Sequence, residues 1–396
     1  MPAITKPPPS LRRSGLAGLA ATLVGVGLAR FAYGPLLPAM VVAGWATPAG
    51  AAFIGAANLA GYLVGALTAR SLATLVAPPV LIRAMLVLAS AGFFGCALDL
   101  GAAWLSVWRF AAGFAGALLV VLAPPLVLAT APAALRGRLG GVIFTGVGIG
   151  VVVSASLVPM LIAHSLTTAW LGLGVASSIA ATAGWSGWPP AGRLPPAGAA
   201  AIGTGAALPA GLASVLVVYG LNALGLVPHM VFLVDFVSRG LDAGITAGAL
   251  CWAAFGLGAL AGPLAAGRLA DGVGFARAIR IGLVLELGGV ALPLLTAAMP
   301  ALWVSSAIAG AFTPGIVPLV LGRVQELVPL EERTRAWGWA TTSFALAQAA
   351  AAYALSTVFA ATGSHRLLFA IGAVSLALAL VIAMLSADSP RRTGAQ

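Results

Sequence analysis

Apolar runs of about twenty residues recur along the chain, each closed by a short break rich in Gly, Pro or polar residues. They fall at 14–38, 51–70, 80–98, 103–129, 140–163, 166–186, 211–235, 244–267, 277–297, 301–322, 336–360 and 366–386. A helix rises about 1.5 Å per residue, so each run is long enough to cross a hydrocarbon core of about 30 Å. The pattern predicts an all-α membrane protein with twelve transmembrane helices. Asp99, Pro48 and the pair Met299–Pro300 mark tight turns. The longest polar-leaning break runs from Ser186 to Ala210 with WPPAGRLPPAG at its centre, and reads as a flexible linker that parts six spans from six.

Composition narrows the setting. Of 396 residues, 61% are hydrophobic and 7% charged, against about 25% charged in a soluble protein. Too few polar side chains are present to cover an aqueous surface, so the bilayer is the expected solvent. The net charge of +11 does not point to nucleic acid, because the basic residues sit at segment ends and form no stripe. Of the 20 Lys and Arg residues, 16 fall at the end of the bundle shared with the N-terminus. Arg239 and Arg366 fall at the other end, and Arg30 and Arg109 lie within spans. The positive-inside rule therefore places both termini in the cytosol. The expected organisation is a cytosolic tail over 1–13, a six-helix bundle over 14–186, a cytosolic linker over 187–210, a second six-helix bundle over 211–386 and a cytosolic tail over 387–396. Cys96 and Cys251 lie in apolar segments, so neither a disulfide framework nor a metal site is expected. No signal peptide is evident.

The two halves repeat each other at an offset of 197 residues. Pro132, Arg136 and Arg138 precede the fifth span, and Pro329, Arg333 and Arg335 precede the eleventh. The same gap-free offset pairs Gly61 with Gly258, Gly65 with Gly262, Arg83 with Arg280, Gly113 with Gly310 and Gly141 with Gly338. A parallel repeat of six plus six spans is the layout of transporters whose halves rock about a site near the bilayer midplane.

After the eighth span stands Gly267-Arg-Leu269-Ala-Asp271-Gly-Val-Gly274-Phe-Ala-Arg277. It resembles the loop signature G-x-L-a-D-x-x-G-x-x-R of the major facilitator superfamily. In the first half the matching positions are Thr74 and Ala77, so the signature has decayed there. More specifically, GLARFAYGPLLPAM (27–40), GAANLAGYLVGAL (55–67), WRFAAGFAGA (108–117), FTGVGIGVVVSASLVP (144–159) and YGLNALGLVPHMVFLVDFVSRGL (219–241) resemble the YbfB/YjiJ branch of that superfamily. The resemblance implies a multi-pass permease of a bacterial inner membrane, working as a monomer by the superfamily's usual habit. It also implies that Asp271 closes a cytosolic gate against the start of the fifth span, near Arg136 and Arg138. An acid at a helix N-terminus is favoured by the macrodipole as well as by those arginines.

Arg30 is the residue that any function must account for. A guanidinium cannot deprotonate, so inside a membrane it is paired, hydrated or facing a ligand. Tyr33 shares its helical face, and Gly27 and Gly34 admit a neighbouring helix. Arg109 stands about 9 Å below the outer end of its span, in an R-F-x-x-G setting. Asn58 and Tyr62, four residues apart, face one way. Arg30, Tyr33, Asn58, Tyr62 and Arg109 are the candidate substrate contacts, against a structural alternative of interhelical hydrogen bonding. Glu286 has apolar residues on both sides, and His229 falls near the repeat mate of Arg30; both are candidates for proton coupling. Gln348, Thr341, Thr342 and Asn222 read as neutral contacts or interhelical glue, Asp235 as an outer-end partner of Arg239, and Trp337 and Trp339 as an interfacial belt.

Two intramembrane arginines favour a secondary transporter of a small organic anion, proton-linked and needing no cofactor. A drug or metabolite exporter is the nearest alternative, but it leaves the arginines without a task. A membrane-embedded enzyme would need clustered Asp, Glu, His or Cys, and the three histidines are far apart in sequence. No GxxxxGK[ST] loop is present, which argues against an ATP-driven pump.

Overall fold

The computed structural model describes residues 10–194 and 210–386. The chain runs as antiparallel helical rods: α1 (Leu11–Leu37, helical on to Val42), α2 (Pro48–Leu75), α3 (Pro78–Cys96), α4 (Ala102–Leu128), α5 (Arg136–Ile162) and α6 (Leu166–Ala183). The second half repeats the course with α7 (Gly211–Gly240), α8 (Gly244–Val273), α9 (Phe275–Leu295), α10 (Met299–Leu327), α11 (Arg333–Thr362) and α12 (His365–Leu385). Each expected apolar run coincides with one of these rods. Among the described residues, 11 helices are long and apolar enough to cross a membrane. The remaining rod, α2, is 28 residues long. The expected terminal tails at 1–9 and 387–396, and 195–209 of the expected linker, lie outside the described residues. Residues 187–194 of that linker lie against the first half: Trp188 is buried and Leu194 N–H donates to Ala73 O at 2.9 Å.

Local signals set the rod ends. Ser165 and Ser364 accept from backbone N–H groups three residues on, capping α6 and α12. Gly274, at φ 86°, closes α8 and opens α9 within one residue, a conformation that a side chain would resist. Two rods are locally underwound into π-helix: α1 over Leu23–Leu28, and α7 over Pro228–Phe232 and Phe236–Gly240. Such turns often mark functional sites.

The 197-residue offset recurs in the contacts. Added side-chain carbons at Gly61, Gly65 and Gly113 would collide with Phe110 O, Phe114 O and Asn58 O. At Gly258, Gly262 and Gly310 they would collide with Ala307 O, Ala311 O and Phe255 O, the same positions one repeat later. Glycine thus lets α2 lie backbone-to-backbone on α4, and α8 on α10, which is how helices associate where lipid removes the hydrophobic drive.

Prolines inside the rods free carbonyls, and neighbouring helices fill them. Pro124 cannot donate to Val120 O, and the indole of Trp337 on α11 does so at 2.9 Å. Pro293 leaves Gly289 O without its helical donor, and Ser305 Oγ of α10 donates to it at 2.7 Å. Trp337 is 0% exposed, so the belt expected there is corrected: its N–H has a buried task between the halves, and its ring stacks near Tyr219 at 6.2 Å. Trp339 packs under the Arg335 guanidinium at 4.7 Å. Trp337→Phe keeps an aromatic ring there but orphans Val120 O, at a cost of about 1–3 kcal/mol. A melting curve of the purified chain is expected to shift down by a few degrees.

Candidate functional site

The halves meet along two seams. In one, α5 runs against α8: added side-chain carbons at Gly137, Gly141 and Gly148 would strike Gly267 O, Pro263 O and Ala259 O. In the other, α2 runs against α11, where Tyr62 and Ala66 pack on Ala345, and Ala66 O lies 3.7 Å from a side-chain carbon built on Gly338. Both seams reach the end where α5 and α11 begin, called the basic end here for its arginines. At that end the Asp271 carboxylate, at the finish of α8, accepts from Gly137 N–H at 2.8 Å and Arg138 N–H at 2.9 Å. Arg138 Nε adds an ion pair at 3.6 Å. Arg136 is not part of this contact, since its Nε donates to Ala131 O at 3.3 Å. The carboxylate therefore caps the open N–H groups of α5, where the helix macrodipole favours negative charge.

Beyond the seams, at mid-depth and toward the opposite end, the halves enclose a cavity of about 200 Å³. Arg30, Tyr33, Asn58 and Arg109 line it from the first half, and Val227, Met230 and Gln348 from the second. The Arg30 side chain follows the π-helical turn of α1. Its Nη2 donates to Gln348 Oε1 across the divide, and its guanidinium stands over the Tyr62 ring at 5.9 Å. Gln348 Nε2 in turn lies 3.4 Å from Met230 Sδ. Arg109 is 3% exposed; its Nη1 donates to Ala29 O at 2.5 Å and its guanidinium lies over the Tyr33 ring at 4.5 Å. Asn58 Nδ2 donates to Arg109 O at 3.0 Å, and Tyr33 OH to Ala51 O at 2.6 Å.

Every partner of the two guanidiniums is neutral. Among the described residues, the ion pairs lie near helix ends, and neither Arg30 nor Arg109 takes part in one. Carbonyl dipoles and ring faces hold both cations in place without cancelling their charge. Tyr62 lies beneath Arg30 rather than in the cavity wall.

His229 and Glu286 do not reach the cavity. The repeat mate of Arg30 is Val227, which lines it; His229, two residues on in the π-helical turn, points to α10 instead. His229 Nε2 meets Ser305 Oγ at 2.7 Å, and Glu286 Oε2 accepts from Asn222 Nδ2 at 2.5 Å, both within the second half. At the opposite end Asp235 is ion-paired with Arg239 and bonded to His365 Nε2 at 2.7 Å. The Gln348–Arg30 bond spans 318 residues of sequence and the Asp235–His365 bond spans 130. Periodicity within one helix carries no signal for either.

The sequence profile of the family described as "Uncharacterised MFS-type transporter YbfB" matches residues 22–384. No curated protein sequence matched the chain. Solved structures similar in fold include FucP, a major facilitator superfamily transporter in the outward conformation, with a TM-score of 0.74 at 14% identity over 94% of this chain and 99% of that one. The proton:xylose symporter XylE gives 0.74 at 14% identity, covering 94% of each chain. The human organic anion transporter MFSD10 gives 0.73 at 17% identity, over 96% of this chain and 100% of that one. At these identities the likeness concerns the fold.

Proposed function

We propose a transport reaction from an established premise: this chain belongs to the MFS-type transporter family represented by YbfB. The chain is a secondary active transporter that carries a small organic anion by alternating access, with protons as the coupling ion. One observation carries the choice of an anion. Arg30 and Arg109 bring two permanent positive charges to a cavity between the halves, and their partners are all neutral. A pocket between packed helices that holds uncompensated cations selects negative charge, because the surrounding low dielectric strengthens the attraction and no carboxylate there competes for it.

In this reading Arg30 takes the charged group of the substrate, in competition with Gln348. Arg109 supports it from beside Tyr33, and Asn58 and Tyr62 hold the two arginines in position. The basic end faces the cytosol, as the positive-inside rule favours, so this conformation opens its cavity outward. The contact of Asp271 with Gly137 and Arg138 is then the closed cytosolic gate. Twelve crossings, a bacterial inner membrane and a single functional chain complete the reading. Glu286 and His229 serve proton coupling. XylE, described as a proton symporter, and MFSD10, described as an organic anion transporter, show that their shared fold serves both kinds of work.

The test uses the full chain in liposomes with a trapped pH dye, challenged with pools of small organic acids and, separately, of amines and apolar drugs. Proton movement with an acid pool is expected. A response confined to cationic or apolar compounds would overturn the anion reading and favour an exporter.

A further inference from the structure

Four polar side chains meet in the interior of the second half. Asn222 on α7 donates through Nδ2 to Glu286 Oε2 on α9 at 2.5 Å. One turn along α9, Gly289 O accepts from Ser305 Oγ, which lies 2.7 Å from His229 Nε2 back on α7. Asn222, Glu286 and Ser305 are 0% exposed and His229 is 1% exposed. A hydroxyl has one proton, and Ser305 gives it to Gly289 O, so Nε2 is the protonated nitrogen of His229.

Three atoms of this cluster have no partner: Glu286 Oε1, Asn222 Oδ1 and His229 Nδ1. With Nε2 protonated and Glu286 ionised, all three are acceptors. A buried acceptor without a donor costs about 1–3 kcal/mol, and a bare carboxylate costs more. Among the described residues, no cation is paired with Glu286. Of the titratable and charged groups on the helices packed here, Arg280 donates to Ala383 O and Ser386 O, Arg323 pairs with Glu326, and His365 and Arg239 engage Asp235. Tyr219 packs its ring against Phe344 and Trp337. Arg277 and Arg366 stand at or near the starts of their helices, far from Glu286 along the rods.

One proton satisfies two of the three orphans. Placed on Glu286 Oε1, it turns that oxygen into a donor, and Asn222 Oδ1 is the acceptor on the group already bonded to the same carboxyl. Acid and amide then share two parallel hydrogen bonds, N–H to carboxyl oxygen and O–H to amide oxygen. We propose that Glu286 and Asn222 together form a proton-binding site whose loaded state is this neutral acid–amide pair. The site is distinct from the cavity. On α7 the cavity is lined by Val227, Met230 and Val231, whereas Asn222 and His229 turn toward α9 and α10. The π-helical turn Pro228–Phe232 carries residues of both sets, so α7 is the element through which the two sites act on each other. The inference deepens the proton-coupled reading and rests on it for a role in transport, though not for the protonation itself.

The test is infrared spectroscopy of the purified full chain in liposomes across a pH titration, with no substrate added. Glu286 is the one fully buried acid among the described residues, so a protonated-carboxyl carbonyl band persisting at neutral pH is expected to belong to it. The band should vanish in Glu286→Gln, which keeps a neutral amide of similar shape in place. It should move to higher frequency in Asn222→Val and Asn222→Ala, as hydrogen bonds to the carboxyl are lost. Absence of the band at neutral pH, its survival in Glu286→Gln, or an unmoved band in both Asn222 variants would overturn the proposal. Because the band needs no substrate, it can fail while anion transport stands, and anion transport can fail while the band stands.

Discussion

Arg30→Gln is expected to weaken binding of an organic anion at the central cavity by at least about 30-fold, the lower end of what removing one partner of a buried charge pair costs. The guanidinium is the group that links the halves there, through Gln348, and it has no carboxylate partner to keep its charge occupied. Glutamine can still bond to Gln348, so the fold is expected to survive while the attraction for negative charge is lost. Arg30→Lys restores the charge without the planar fork. An ammonium cannot offer the same fixed pair of donors to Gln348 and a carboxylate together, and an intermediate loss is expected. Titration calorimetry with the acid that moves protons in liposomes measures both. Equal affinity in wild type and Arg30→Gln, with matching melting curves, would return Arg30 to a structural role.

Gly148→Leu should have the largest conformational effect. A side-chain carbon there would run into Ala259 O and the backbone of α8, so leucine forces the α5–α8 seam apart. Overpacking of this kind costs about 1–3 kcal/mol or more, enough to shift the population by about 5- to 150-fold toward a form open at the basic end. Spin labels at Leu135 and Arg268, both exposed, report the separation of the seam. A longer distance is expected in the variant, and an unchanged distribution would show that the seam does not hold that end closed. Asp271→Asn should do less, because the amide oxygen still accepts from one of the two backbone N–H groups now bound at α5.

Run length and the repeat offset were informative because both are local, additive properties. A twenty-residue apolar segment has few alternatives to a helix in lipid, where each backbone group must bond within its own segment. The glycine pairs were legible for the same reason: close backbone approach tolerates no other residue. Side-chain direction at the functional positions was not. Val227 and His229 differ by two residues, and the π-helical turn over Pro228–Phe232 alters the angle that a regular helix would assign them. Trp337 at a helix start reads as an interfacial ring until Pro124, 213 positions earlier in the chain, is seen to free the carbonyl it occupies. Arg136 and Arg138 look equivalent in sequence, yet only Arg138 and the intervening Gly137 reach Asp271.

The neutral company of Arg30 and Arg109 bears on leak. A carrier that returned empty would have to close around two guanidiniums held by an amide, a carbonyl and two ring faces. Stripping the remaining water from uncompensated charges costs several kcal/mol per ion, and a bound anion offsets that penalty. On the anion reading, the empty carrier should therefore cycle more slowly than the loaded one, so that the charges proposed to recognise the cargo would also suppress futile turnover.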